Sequence, residues 1–179
     1  SGTTGYPKGV KRPLPEQDYG AEEGIDLLKV LYGATDESIY LSPAPLYHAA
    51  PLAFTMNCIR TGVPVVVMEH FEAEFALECI ERYKITHSQW VPTMFVRMLK
   101  LPEETRLKYD VSSLRCAIHA AAPCPIPIKE QMIDWWGPVI YEYYAGTEGN
   151  GFVQLMNKLT KYVFGLIQHY HGIFLLFSC

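Results

Sequence analysis

The sequence predicts an α/β fold, a mostly parallel sheet with helices on both faces. Short apolar runs alternate with helical patterns along most of the chain, and such alternation yields parallel strands joined by right-handed crossovers. The run Val63 to Met68 is rich in β-branched residues, the composition of a strand buried on both faces. Glycine and proline stand between the runs, at Gly33, Gly62 and Gly137-Pro138 among others.

In chain order, Glu22 to Tyr32 reads as a helix, with Ile25, Leu28 and Tyr32 near one face and Gly33 able to end it. Ser38 to Ser42 is a short apolar strand closed by Pro43 and Pro45. Pro51 suits the first turn of the next helix and Gly62 its C-terminal cap. The Val63–Met68 strand follows. Glu72 to Tyr83 reads as an amphipathic helix with Phe75, Ala76, Cys79, Ile80 and Tyr83 inward. Ile85 to Val91 is a strand, Thr93 to Leu101 a helix stopped before Pro102, and Glu103 to Tyr109 a polar helical connector. Leu114 to Ala120 is the fourth strand. Pro125 or Pro127 opens a helix carrying Ile128, Met132, Ile133 and Trp136, and Gly137-Pro138 stops it. Val139 to Tyr144 is the fifth strand. Ligands of such sheets gather at the carboxyl ends of the strands. His48, Trp90, Ala121, Ala122 and the segment Tyr144 to Glu148 all stand there in this scheme.

Composition narrows the function classes. With 179 residues, the chain is one domain or a piece of one. Its net charge of −4, without a basic cluster, argues against a nucleic-acid surface. The five cysteines are odd in number and lack CxxC spacing, so they read as reduced core thiols of a cytoplasmic protein rather than a zinc site. There is no signal-peptide pattern. From Val153 the chain changes character, becoming aromatic-rich with almost no acidic residues. Its apolar stretch from Tyr162 to Cys179 is interrupted by Gln168, His169 and His171, which argues against a membrane span, since a span needs ~20 clean apolar residues. The two histidines without further ligands are a weak metal signal.

The first nine residues concentrate the chemistry: Ser1-Gly2-Thr3-Thr4-Gly5-Tyr6-Pro7-Lys8-Gly9. Glycines let the backbone turn its N–H groups inward, and successive inward N–H groups form a concavity for an anion. The hydroxyls of Ser1, Thr3 and Thr4 add donors, and Lys8 adds a mobile charge. This is a polyphosphate cradle by composition, without the spacing of a Walker A loop. A second motif, Tyr144-Ala145-Gly146-Thr147-Glu148, lies far downstream. Together the two resemble the acyl-adenylate-forming (AMP-dependent synthetase and ligase) superfamily. The wording of Pro45 to Pro51 and of Tyr144 to Gly151 is most like bacterial acyl-CoA synthetases of the fatty- or bile-acid type. Ala145 stands where the family usually has glycine.

The resemblance implies an ATP-dependent carboxylic acid–CoA ligase: acid and ATP give acyl-adenylate and pyrophosphate, and the acyl group then passes to coenzyme A. The adenylation problem is an anion attacking a polyanion, so charge neutralisation and alignment dominate catalysis. By resemblance, Ser1, Gly2, Thr3, Thr4, Gly5 and Lys8 bind the nucleotide phosphates. Thr147 hydrogen-bonds the α-phosphate, and Glu148 binds Mg²⁺, which needs few protein ligands. Lys8, Thr147 and Glu148 are the expected catalytic residues. Tyr144 offers an aromatic face to adenine. The His119–Pro123 segment resembles the family's small-residue turn, with Ala121 and Ala122 allowing close approach of adenine and the acyl group; a tightly packed strand end is the plainer reading. His48 matches a position beside the acid, although an isolated histidine is more often structural. Trp90 and Met94 follow a strand and suit an apolar acyl pocket, or core packing.

The resemblance covers roughly residues 1 to 152, a partial adenylation domain, whereas residues 153 to 179 do not align and read as a helical or artefactual tail. The chain opens inside its own phosphate loop and lacks the family's ribose-binding aspartate and mobile C-terminal domain. It is therefore expected to be a fragment with little turnover alone, depending on the parent's missing domains. The alternatives are a non-catalytic nucleotide-binding or interaction fragment and a protein anchored to a membrane by its tail.

Overall fold

The computed structural model describes residues 27–146 and 152–155, with the single positions 6, 9 and 11. Among the described residues six strands form one sheet, β1 (Tyr40–Ser42), β2 (Val65–Val67), β3 (His87–Trp90), β4 (Cys116–His119), β5 (Ile140–Ala145) and β6 (Phe152–Leu155), in the order β2-β1-β3-β4-β5-β6. The first five are parallel, and β6 runs antiparallel to β5. The helices among the described residues are α1 (Leu27–Tyr32), α2 (Ala49–Arg60), α3 (Ala73–Tyr83), α4 (Pro92–Leu99), α5 (Glu103–Lys108) and α6 (Ile126–Trp136).

Side-chain alternation along the strands divides the interior into two layers. Tyr40, Cys116, Ile118 and Tyr143 face α1 and α2, where Leu28, Tyr32, Phe54 and Cys58 complete one cluster. Leu41, Trp90, Ala117 and Ile140 face α3, α4 and α6. The α/β architecture with helices on both faces is therefore as the sequence predicts. The crossovers β1-α2-β2 and β2-α3-β3 travel in opposite directions and pass over opposite faces, as a single hand of connection demands. The chain thus leaves the carboxyl ends of β1 and β3 toward different faces, the arrangement that opens a ligand crevice in doubly wound sheets.

Local chemistry sets the helix ends. The Glu72 carboxylate accepts hydrogen bonds from the backbone N–H groups of Glu74 and Phe75 and so caps α3. Lys84, in the left-handed region at φ 49°, closes that helix. Pro92 opens α4 at its first turn, where a missing N–H costs nothing. Gly137, at φ 85°, ends α6 and turns the chain into β5.

Three expectations change. The valine run is an edge strand, half-buried rather than enclosed, because β1 pairs with it on one side only. The buried stripe of α3 is Ala73, Ala76, Leu77, Cys79 and Ile80, while Phe75 and Tyr83 stand 45% and 40% exposed at its margins. Alanines occupy the buried stripe and the bulky rings stand at its margins. Strand β6 was not foreseen, and it spans the position where the sequence suggests a boundary between 152 and 153. Residues 22–26 of the first predicted helix and the tail from 156 onward lie outside the described residues. Among the described residues no helix is long and apolar enough to cross a membrane.

Candidate functional site

The carboxyl ends of the parallel strands form one rim. After β1 the chain runs to His48, the N-cap of α2, in extended conformation at φ −82° and ψ 145°. His48 and Tyr47 are both exposed, their ring centroids 4.5 Å apart. After β4 come Ala120, buried, and then Ala121 and Ala122, both exposed. Ala121 is left-handed at φ 75°, a region that glycine enters freely and alanine does not. On β5, Tyr144 is 81% exposed. Because β4 and β5 are neighbours, the alanine turn and Tyr144 flank each other at the rim, while His48 lies beyond β3 on the side of α2.

Trp90 and Met94 belong to the interior, 1% and 7% exposed. Trp90 shares a face with Ser88, whose Oγ accepts its indole N–H at 2.7 Å. The Trp90 ring packs against Trp136, Phe95 and Phe71 at centroid distances of 5.4, 6.3 and 6.4 Å. Strand alternation points residue 90 into the α4/α6 layer, and this burial agrees with core packing, the alternative to an acyl pocket.

Sequence reasoning did not single out the polar groups buried under that rim. Lys129 of α6 donates to the Glu142 carboxylate of β5 at 2.5 Å, and both residues are buried. His119, the last residue of β4, is fully buried with Nε2 3.8 Å from the same carboxylate oxygen. Neither ring nitrogen has a hydrogen-bond partner among the described residues. Burial, assisted by the lysine charge, pushes the imidazole pKa down to about 3 and keeps the ring neutral. On the opposite face Gln89 donates to the Tyr143 hydroxyl at 2.7 Å across β4, and burial pushes that phenol up to about 12. The sequence carried no distinct signal for the first group, since Lys129 stands beside Glu130 and Gln131 as a surface charge would.

Ser1, Gly2, Thr3, Thr4, Gly5 and Lys8 of the opening loop, and Thr147 and Glu148 of the second motif, lie outside the described residues. Among the described residues no group of three His, Cys, Asp or Glu is placed to hold a metal ion.

Known proteins give the rim its context. The family model described as "AMP-binding enzyme" matches residues 1–167. A probable CoA ligase of Humulus lupulus is 30% identical over 154 residues, 84% of this chain and 27% of that protein. The 2-succinylbenzoate–CoA ligase of Bacillus subtilis is 30% identical over 143 residues, 80% of this chain and 28% of that protein. The chain thus spans about a quarter of the length of the curated relatives it matches. Among solved structures, the O-succinylbenzoate coenzyme A synthetase of Bacillus subtilis in complex with ATP and magnesium ion superimposes with a TM-score of 0.67 at 26% identity, over 90% of this chain and 32% of that one. The amide bond synthetase McbA of Marinactinospora thermotolerans gives 0.65 at 27% identity, over 74% and 26%. With most of its length matched and its sheet shared with these structures, the chain belongs to the AMP-binding, adenylate-forming enzyme family.

Proposed function

We propose that the whole protein is an acid–CoA ligase: it joins a carboxylic acid to AMP with release of pyrophosphate and then transfers the acyl group to coenzyme A. The observation that carries this reading is the family match over residues 1–167, with named acid–CoA ligases among the relatives. The exposed Ala121–Ala122 turn and Tyr144 support it from geometry. An exposed aromatic ring beside a turn without bulky side chains suits a flat heterocycle, and adenine is the group we assign there. His48, exposed at the start of α2, would donate to the acid carboxylate. Lys8 and the loop hydroxyls would neutralise the phosphates, and Thr147 would hold the α-phosphate in line for attack.

Magnesium bound with the nucleotide supplies further neutralisation of the polyphosphate. It is usually held by one or two carboxylates together with substrate phosphates. The chemistry of a single carboxylate at Glu148 fits that mode. A cage of several ligands is not offered by the described residues.

Because the chain spans about a quarter of its relatives, we assign the full reaction to the whole protein and expect the 179 residues alone to turn over poorly. The test is ATP–pyrophosphate exchange by the whole protein over a panel of fatty, aromatic and sterol-like acids. At least one acid should support exchange, and Lys8→Ala should lower kcat/KM for ATP by about a hundredfold or more. Absence of exchange with every acid, or full activity of the alanine variant, would overturn the reading.

A further inference from the structure

The Lys129–Glu142 pair is not among the groups assigned to the chemistry above, yet it is the one Lys–carboxylate bridge among the described residues with both partners buried. A pair of apolar side chains of similar volume would fill such a space without the penalty of taking charges out of water. A charge-assisted hydrogen bond adds fixed direction and distance.

The two ends of the bond lie on the two rim segments that flank each other. Lys129 is in the first turn of α6, which the Ala121–Ala122 turn leads into. Glu142 stands two residues before Tyr144 and, by strand alternation, on the same face. His119 pairs with Glu142 across β4 and β5 and immediately precedes Ala120. One carboxylate therefore faces the end of β4 and the start of α6 while belonging to β5. Ala121 between them keeps a left-handed backbone, which alanine retains only where its surroundings impose it.

We propose that Lys129 and Glu142 are positioning residues for the nucleotide rim, holding the Ala121–Ala122 turn and Tyr144 at the mutual spacing adenine requires. They act through the backbones of α6 and β5 and do not touch the nucleotide. This inference rests on the ligase reading above.

The experiment compares the whole protein with Lys129→Met/Glu142→Leu and with Glu142→Gln, in ATP–pyrophosphate exchange with one accepted acid and in thermal melts. The double variant removes both charges at similar volume, so it should melt close to wild type. Its KM for ATP should rise about tenfold or more, and by more than the KM for the acid. Glu142→Gln keeps shape and an acceptor but not the charge, and should raise the KM for ATP in the same direction. Should the double variant fail to fold, this isosteric one decides. A KM for ATP within about twofold of wild type in every folded variant overturns the positioning role. Loss of exchange in the wild type itself would instead sink the ligase reading.

Discussion

His119 enters the interior neutral, between the Lys129–Glu142 pair and the Phe95 ring, whose centroid lies 5.6 Å from its own. Its folded-state pKa is about 3, against 6.5 for the ordinary imidazole. In the unfolded chain the ring takes up a proton as pH falls below about 6.5, but in the folded chain it resists until about 3. The stabilisation is therefore complete above the unfolded value and is lost between pH 6.5 and 3, at up to about 1.4 kcal/mol per pH unit. His87, lowered in the same direction by burial, adds to the slope. Thermal midpoints from pH 7 to pH 4 should fall, and His119→Gln should flatten part of that fall. An identical slope in the variant would contradict this account of the site. At this scale the sequence was partly legible. Small side chains at Ala121 and Ala122 and an aromatic at Tyr144 declare themselves by type and place. A buried lysine paired with a glutamate 13 residues on does not, because the sequence shows each as an ordinary surface charge.

Helix α3 illustrates what a pattern can and cannot carry at the scale of an element. Its start depends on one carboxylate that satisfies two free N–H groups. Glu72→Ala should cost about 1 kcal/mol, read as a shift of the urea midpoint without change in the slope. No shift would mean that water serves those donors equally well. The existence of α3 followed from its apolar period, but its rotation did not. A hydropathy pattern ranks Phe75 and Tyr83 above alanine, whereas close packing on a sheet favours Ala73 and Ala76 at the contact. The five parallel strands were read from short runs set between helical patterns and turn residues. The enclosed reading of β2 failed because three valines in a row look alike at a sheet's centre and at its edge; neighbours in space decide, and those are set by topology. Strand β6 was missed because Phe152 to Leu155 is short and runs antiparallel to β5, a pairing that no crossover pattern marks.

For the whole molecule, alternation of strands and helices was sufficient to give the architecture and to put His48, Ala121, Ala122 and Tyr144 at one end of it. The two-layer interior offers its own assay. Cys58 and Cys116 lie under α1 and α2, and Cys79 and Cys124 lie on the other side of the sheet. All four are buried thiols. Burial raises the pKa of Cys116 and Cys79 and pushes Cys124 up to about 11, so little reactive thiolate exists at these three positions near neutral pH. Labelling by a soluble thiol reagent, followed cysteine by cysteine with mass spectrometry, should be slow in buffer and immediate in denaturant. The Cys58/Cys116 and Cys79/Cys124 pairs would then report the opening of each layer separately. Rapid native labelling of Cys116 would refute the packing of α1 and α2 on the sheet.

The polarity of the five parallel strands has a practical corollary. Among the described residues their amino ends carry none of the candidate groups, and the exposed Glu37 and Ser112 lie in the turns that feed β1 and β4 from that side. A fluorophore or a surface tether grafted at either position would leave the opposite end clear, giving an orientation in which the immobilised protein presents its chemistry outward.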